Sequence, residues 1–389
     1  MSERQHGGDG ASTDGRGGRL TGLAAVFLRL GLTSFGGPAA HVALMRDEFV
    51  RRRGWLDDPT FLDLLGAANL IPGPTSTELA MHIGFRRAGR SGLVVAGLAF
   101  LLPAVLVVAA LAWLYVEYGR RPEIEALFVG VAPVVVAVIV QAGWSIARGA
   151  LRAPWHAGLL AAAVAAILAG LPEIGVLLLA GVVGLVVGGG LQPSGVSSVA
   201  LWLLPAPTAV VAATVSAAAI LLAFLKIGAV LFGSGYVLVA LLRSELVDGL
   251  GWLTETQLLD AVAVGQATPG PLFSTATFIG YVIGGPVGSI AATVGVFLPA
   301  FIAVGVSIPI LHRLRGSARA RAFLDGVNVA AVGLIAVVAV QLAATAIRDV
   351  VALGEAVVAL VLLTAGLGSG RLVLAGAAIG LIRLALDPR

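Results

Sequence analysis

FLRLGLTSFGGP, residues 27–38, returns as FLKIGAVLFGSG at residues 224–235, and the correspondence runs without insertion from Phe27–Pro74 to Phe224–Pro271. The offset is constant (224 − 27 = 197), and 19 of the 48 paired positions are identical. Arg46–Trp55 answers to Arg243–Trp252, and LIPGP to ATPGP. Past the PGP the offset becomes 196 (279 − 83 = 196): Ile83-Gly84-Phe85 pairs with Ile279-Gly280-Tyr281, and Leu102-Pro103-Ala104 with Leu298-Pro299-Ala300. A period near half the chain means two homologous halves, which in membrane proteins enclose a shared transport site.

The composition puts those halves in lipid. With 58% hydrophobic and 12% charged residues and a mean hydropathy of +1.00, the chain carries about half the charge of a soluble domain. Apolar runs such as Ser91–Val116, Leu127–Ile146 and Phe323–Ile347 are long enough for helices across about 30 Å of hydrocarbon. The alternating strands of a membrane barrel are missing from the sequence. The expected fold is therefore an all-α polytopic membrane protein with about 10 to 13 membrane segments, some of them broken or re-entrant helices.

Several function classes fall away on composition. The chain has no cysteine, hence no disulfide or thiolate metal site, and its five histidines do not cluster. Neither a phosphate-binding GxxxxGK[ST] loop nor HExxH or GxSxG occurs. No metal and no cofactor is expected. The basic balance, 25 Lys and Arg against 21 Asp and Glu, comes from arginines flanking apolar spans. It points to membrane topology and to no nucleic acid.

The expected organisation is a disordered tail over residues 1–20, a first membrane repeat over 21–190, a linker with an extra apolar segment over 191–223, and a second repeat over 224–389. A Gly, Pro and Ser-rich stretch at 188–207 marks the junction. In the first repeat the sequence predicts a span at about 21–45, a basic connector at 46–58, a broken segment at 60–85, and spans at about 91–117, 124–147, 155–170 and 173–190. The second repeat opens with a 35-residue apolar run, 208–242, too long for one upright crossing and short for two. Arg46, Arg51, Arg52 and Arg53 precede the segment 60–85, while Arg86, Arg87 and Arg90 follow it. Both flanks favour the cytoplasm, which a re-entrant hairpin satisfies. The corresponding flanks of the second half are poor in arginine, whereas Arg313, Arg315, Arg319 and Arg321 outnumber Arg120 and Arg121. This charge pattern implies halves of opposite orientation, an inverted repeat.

Each half carries two candidate breaks. Pro72-Gly73-Pro74 and Pro269-Gly270-Pro271 place two prolines and a glycine inside apolar segments, where proline lacks a donor and disfavours helix before it. Hydroxyls follow directly: Thr75, Ser76 and Thr77 in one half, Ser274 and Thr275 in the other. A half-helix beginning there offers free N–H groups and a positive dipole end to an anion. Asn69 and Gln266 precede the two breaks by three residues and could add amide donors. The second pair of breaks is Phe35-Gly36-Gly37-Pro38 and Phe232-Gly233-Ser234-Gly235. Arg29 and Lys226, equivalent in the two halves, are cations within spans and demand compensation, from a dianion or from a carboxylate such as Asp63 or Asp260. Asp63 and Asp260, and Glu78, which has Thr275 as its counterpart, are candidates for ion pairing or proton coupling. Arg46 with Glu48 and Arg243 with Glu245 read as interfacial ion pairs.

The constellation FGGP, RDEFVRRRGWLDD and IPGPTST, echoed by FGSG, RSELVDGLGWL and TPGP, resembles the chromate transporter family of the long, two-domain type, over nearly everything from residue 21 onward. The resemblance implies a bacterial inner-membrane transporter that exports chromate, with oppositely oriented halves, driven by the membrane potential or a proton gradient, conferring chromate resistance. It carries motif roles onto Phe35, Gly36, Gly37, Pro38, Arg46, Trp55 and Pro72–Pro74, and onto Phe232, Gly233, Arg243, Trp252 and Pro269–Pro271. Gly235 stands where the first half has Pro38. The partners implied are a small oxyanion, chromate or sulfate, the lipid bilayer, and as one option a second copy of the chain in a homodimer. The rival readings are a sulfate or other oxyanion transporter or exchanger, a passive anion channel, and an intramembrane enzyme.

Overall fold

The computed structural model describes residues 11–35, 37–188, 215–231, 235–314 and 317–386, and every regular element among them is helical. Residues 1–10 of the expected tail, most of the expected linker, and the break residues Gly36, Phe232, Gly233 and Ser234 lie outside the described residues. The first half comprises α1 (Ala11–Thr33), α2 (Gly37–Arg46) with a π-helical turn Asp47–Arg52, α3 (Asp58–Ala68), α4 (Thr75–Tyr118), α5 (Pro122–Ala150), α6 (Pro154–Leu168) and α7 (Glu173–Gly188). The second repeats this order: α8 (Ala217–Val230), α9 (Gly235–Leu242) with a π-helical turn Arg243–Gly249, α10 (Glu255–Ala267), α11 (Thr275–Leu314), α12 (Ala318–Ala346), α13 (Val350–Thr364) and α14 (Ser369–Leu386). Among the described residues five helices are long and apolar enough to cross a membrane, and four shorter apolar helices accompany them. The chain is a multi-pass membrane protein.

Helix α1 begins ten residues earlier than the span expected from residue 21, because extending an existing helix costs far less than nucleating one. The expected single span 21–45 is in fact two helices with a reversal between them, which brings the π-helical turn after α2 onto α1. Arg29 reaches Glu48 at 2.6 Å, and the rings of Phe27 and Phe49 lie 5.0 Å apart. Lys226 reaches Glu245 in the same way at 2.6 Å. The long run 208–242 is resolved likewise, as α8 and α9 around the second break.

A second reversal occurs at each PGP. Asp57 caps α3 by accepting the Thr60 N–H, and Thr254 with Gln257 forms a capping box on α10. The chain then turns at the prolines and comes back. The ends of the first hairpin meet: the Arg87 guanidinium lies 4.9 Å from the Trp55 ring. The segment 60–85 is thus a hairpin with both flanks on one side, as its arginines require. A third reversal divides α4 into arms 75–87 and 90–118, with non-helical backbone at Ala88 and Gly89; Gly284 and Gly285 do the same in α11. Gly89 and Gly285 adopt φ +63° and +62°, a left-handed conformation that glycine takes without steric cost. In the second half the arms are tied by the hydroxyls of Thr277 and Thr293, 2.8 Å apart.

The halves are related by an antiparallel twofold exchange. Gly97 packs against Phe301, whose first-half equivalent is Val105 (301 − 196 = 105), eight residues or about 12 Å further along the helix. Equivalent helices running parallel about a twofold would meet at equal heights, so these arms of α4 and α11 run in opposite directions. The outer helices are exchanged between halves: α5 packs on α13 and α14, and α12 on α6 and α7. At these crossings the backbones touch, Gly130 against Gly376 and Gly380, and Gly326 against Ala180 and Gly184. Such small residues let membrane helices approach closely.

Candidate substrate site

Each PGP closes onto the first break of the other half. The Gly73 N–H donates to the Leu231 carbonyl at 2.7 Å, and the Gly270 N–H donates to the Ser34 carbonyl at 2.8 Å. Ser34 and Leu231 are equivalent (231 − 34 = 197), so these are two copies of one junction. The packing leaves no room for a side chain at either glycine: a Cβ on Gly270 would stand 2.6 Å from Cβ of Ala104, and one on Gly73 2.8 Å from Cβ of Ala300. Each PGP thus meets the glycine break of the opposite half and not the other PGP.

The side chains around the two junctions differ. Ser34 Oγ, and within five residues of Gly270 along the chain Gln266 Nε2, Ser274 Oγ and Thr275 Oγ1, are sealed from solvent without a hydrogen-bond partner, Thr275 Oγ1 lying against Gly265. Gln266 Oε1 accepts from the Ser369 hydroxyl at 3.1 Å, and Thr268 gives its hydroxyl to the Val264 carbonyl at 2.9 Å. At the Gly73–Leu231 junction, Thr77 Oγ1 and both oxygens of Glu78 are buried without a hydrogen-bond partner, and Glu78 Oε1 is the nearest atom to where a Cβ on Gly73 would stand. Ser76 is held by His41, whose Nδ1 lies 3.2 Å from Ser76 Oγ and whose Nε2 lies 3.1 Å from the Ser34 carbonyl. His41 therefore links the first break to the first turn of α4.

Between the halves a cavity of about 10 Å³ is lined by Gly37, Pro38, Gly235, Tyr236, Gln266 and Gly270 among others. That is the space of about one water, so the Gly270–Ser34 junction is closed here.

The remaining candidates are placed as follows. Asn69 is an exposed residue at the end of α3. Arg29 and Lys226 do not face the junctions with a free charge; each is paired with the glutamate of the adjoining π-helical turn, Glu48 and Glu245, rather than with Asp63 or Asp260. The reason is the unexpected fold-back of α2 and α9, which brings residues 19 positions apart together. For the same reason the interfacial pairs are re-partnered: Arg46 bonds Asp58 at 2.8 Å, Arg243 bonds Asp248 at 2.6 Å and also Glu255, and Glu48 takes Arg53 at 2.6 Å as a second partner. Asp63 is exposed, whereas its equivalent Asp260 is 95% buried and accepts the Tyr115 hydroxyl at 2.7 Å. Ser34 and Tyr115 were not singled out by sequence. Ser34 falls next to the motif phenylalanine Phe35, but nothing local marks a residue whose partner lies more than 140 positions away.

An antiparallel pair of helical repeats, each interrupted twice and joined through its interruptions, is an architecture of membrane transporters. The chain belongs to the chromate transporter family, whose description "Chromate transporter" matches residues 21–185 and again 218–381. It is 37% identical over 339 residues to the "Chromate transport protein" of Pseudomonas aeruginosa, covering 82% of this chain and 80% of that one. It is 32% identical over 390 residues to the "Chromate transport protein" of Cupriavidus metallidurans, covering 93% of each. It is also similar to the "Probable chromate transport protein" of Synechococcus elongatus, 33% identical over 338 residues. No solved structure matches it.

Proposed function

We propose that this protein exports chromate across the bacterial cytoplasmic membrane by alternating access, and that the dianion is held at the junction of Gly270 with Ser34. The observation that carries this reading is the set of four buried donors there, Ser34, Gln266, Ser274 and Thr275, that reach no acceptor. A buried donor without a partner costs about 1–3 kcal/mol, and a tetrahedral oxyanion offers four acceptor oxygens at once. Backbone N–H groups freed when the junction parts, Gly270 first, would complete the cradle.

The two equivalent junctions supply the gates. Since the halves are antiparallel, parting one junction opens the centre toward one face and parting its copy opens it toward the other. The driving force is sufficient without a coupled ion. Two charges leaving an inside-negative cell through 100 mV gain about 4.6 kcal/mol, enough for a gradient on the order of a thousandfold.

Flux of radiolabelled chromate into and out of proteoliposomes, with sulfate alongside and with imposed potential and pH gradients, tests the reading. The expected outcome is saturable chromate flux that follows the potential and falls when Ser274 and Thr275 are both replaced by alanine. Flux that ignores both gradients would sink the coupled carrier, and preference for sulfate would reassign the substrate.

A further inference from the structure

We infer that Asp260 is a proton site linked to the dianion site at the tip of its own hairpin, so that binding an anion draws in about one proton. The inference rests on the proposed reading of the Gly270–Ser34 junction as the anion site. Asp260 lines a cavity of about 480 Å³ formed by the ends of α4, α5, α10, α12 and α14 with the start of α13, and the residue is 5% exposed. The carboxyl is thus nearly sealed in protein while bordering a space large enough to hold water. A proton has both a holder and a route.

The surrounding groups favour a proton over a metal ion. From α4 comes Tyr115, whose hydroxyl donates to Asp260 and whose ring packs on Phe128 and Phe278 at 5.2 and 5.0 Å. The turn after α4 contributes Arg120, α5 Glu125, the loop after α12 Arg348 and Asp349, and α14 Arg383; α13 contributes Ala352. Arg348 donates to the Thr345 carbonyl at 2.9 Å, and Arg383 pairs with Asp349. The lining sets three arginines against three carboxylates, Asp260, Glu125 and Asp349, and among the described residues no three His, Asp or Glu side chains converge to hold a metal ion. A proton needs a single lone pair.

The linkage follows from position. Asp260 lies on the outgoing arm six residues before Gln266, about 9 Å along the helix, and Tyr115 bridges it to Phe278 on the returning arm. A dianion entering at the tip repels an ionised Asp260, and the repulsion is relieved when the carboxyl takes a proton from the cavity. The proton passes to one carboxylate oxygen, and no bond other than that to its water carrier is broken.

The experiment measures chromate binding by the purified full chain between neutral and mildly alkaline pH, where chromate is a dianion, with proton uptake followed in weak buffer. In the wild type, affinity should fall about tenfold per pH unit, the slope of one linked proton, with uptake of about one proton per anion. Asp260→Asn should still bind chromate while losing both the slope and the proton uptake. Should that variant fail to fold, Tyr115→Phe, which keeps the acid and removes its hydrogen bond, should shift the pH at which the slope begins. A wild type that binds chromate without pH dependence, a slope unchanged in Asp260→Asn or an unshifted profile in Tyr115→Phe, or a sodium dependence in its place would overturn the inference. A wild type that binds no chromate would instead remove the reading on which it rests.

Discussion

The junction of Gly270 with Ser34 and its copy, Gly73 with Leu231, share one backbone hydrogen bond and opposite side-chain chemistry. The first is surrounded by donors that lack acceptors, Ser34, Gln266, Ser274 and Thr275; the second holds a threonine and an unpaired carboxyl, Glu78. Duplication has kept interrupted helices that close on each other and let the lining diverge. On the proposed reading the donors of the first junction hold the dianion, whereas the second sets the carboxyl oxygens of Glu78 where it has no such set of donors. The difference teaches that a twofold backbone does not oblige a twofold site.

The comparison breaks most visibly at the two glycines. Gly270→Ala sets a left-handed φ of +100° and a 2.6 Å approach to Ala104 against a residue that tolerates neither, and is expected to cost about 2–4 kcal/mol and most chromate flux. Adding Ala104→Gly should restore about half of the stability, since it relieves the overlap and leaves the strained dihedral. Thermal unfolding in detergent reads both effects.

Next come the hydroxyls. Thr275→Val should weaken chromate binding about tenfold, the worth of a hydrogen bond to a charged group, with little change in stability because the hydroxyl bonds nothing in the closed state. Thr77→Val, at the other junction, should change affinity less than about twofold. Equal losses in the two variants would refute the asymmetry.

A smaller effect separates the helices α13 and α6. Asp349 caps α13 by accepting the Ala352 N–H at 2.7 Å, whereas at the equivalent Ala153 the side chain of His156 accepts backbone N–H groups instead. Asp349→Ala should cost about 1 kcal/mol. The Ala352 N–H and then Arg383 hold the Asp349 carboxyl below the usual aspartate range. Its contribution is therefore present above that range and is lost as the pH falls through the lowered value, which unfolding at graded acid pH would show for the wild type and not for Asp349→Ala.

The smallest difference concerns the cations. Arg29→Ala leaves Glu48 with Arg53 at 2.6 Å, while Lys226→Ala takes away the cation bonded to Glu245. Lys226→Ala should be the more destabilising of the two by about 0.2–1 kcal/mol, the range of exposed pairs. Abolished flux in Lys226→Ala with unchanged stability would instead return that residue to the transport path.

The duplication, the helical class and the paired interruptions were legible because each is local: prolines and glycines recur at one offset within apolar runs. The hairpin of residues 60–85 was legible through its arginines, which mark the side that both ends share. What escaped was of longer range. The fold-back at the first break brings Arg29 to Glu48 and not to Asp63, and nothing in the periodicity of one arm says which arm it packs on. The exchange of α5 and α12 between halves also escaped, although Gly376 and Gly380, spaced as in close-packed membrane helices, carried a signal. Nor could equivalent aspartates be ranked: Asp63 and Asp260 are identical in the repeat, and only the neighbours that tertiary packing supplies bury one and expose the other.

Each junction borrows a carbonyl from the opposite half, so neither half can satisfy its own turn. A single half would have to meet another, head to tail, before its glycine amide found this carbonyl. Fusion into a single polypeptide makes that encounter intramolecular, and it frees each copy to acquire side chains that a self-pairing unit could not tolerate at both ends.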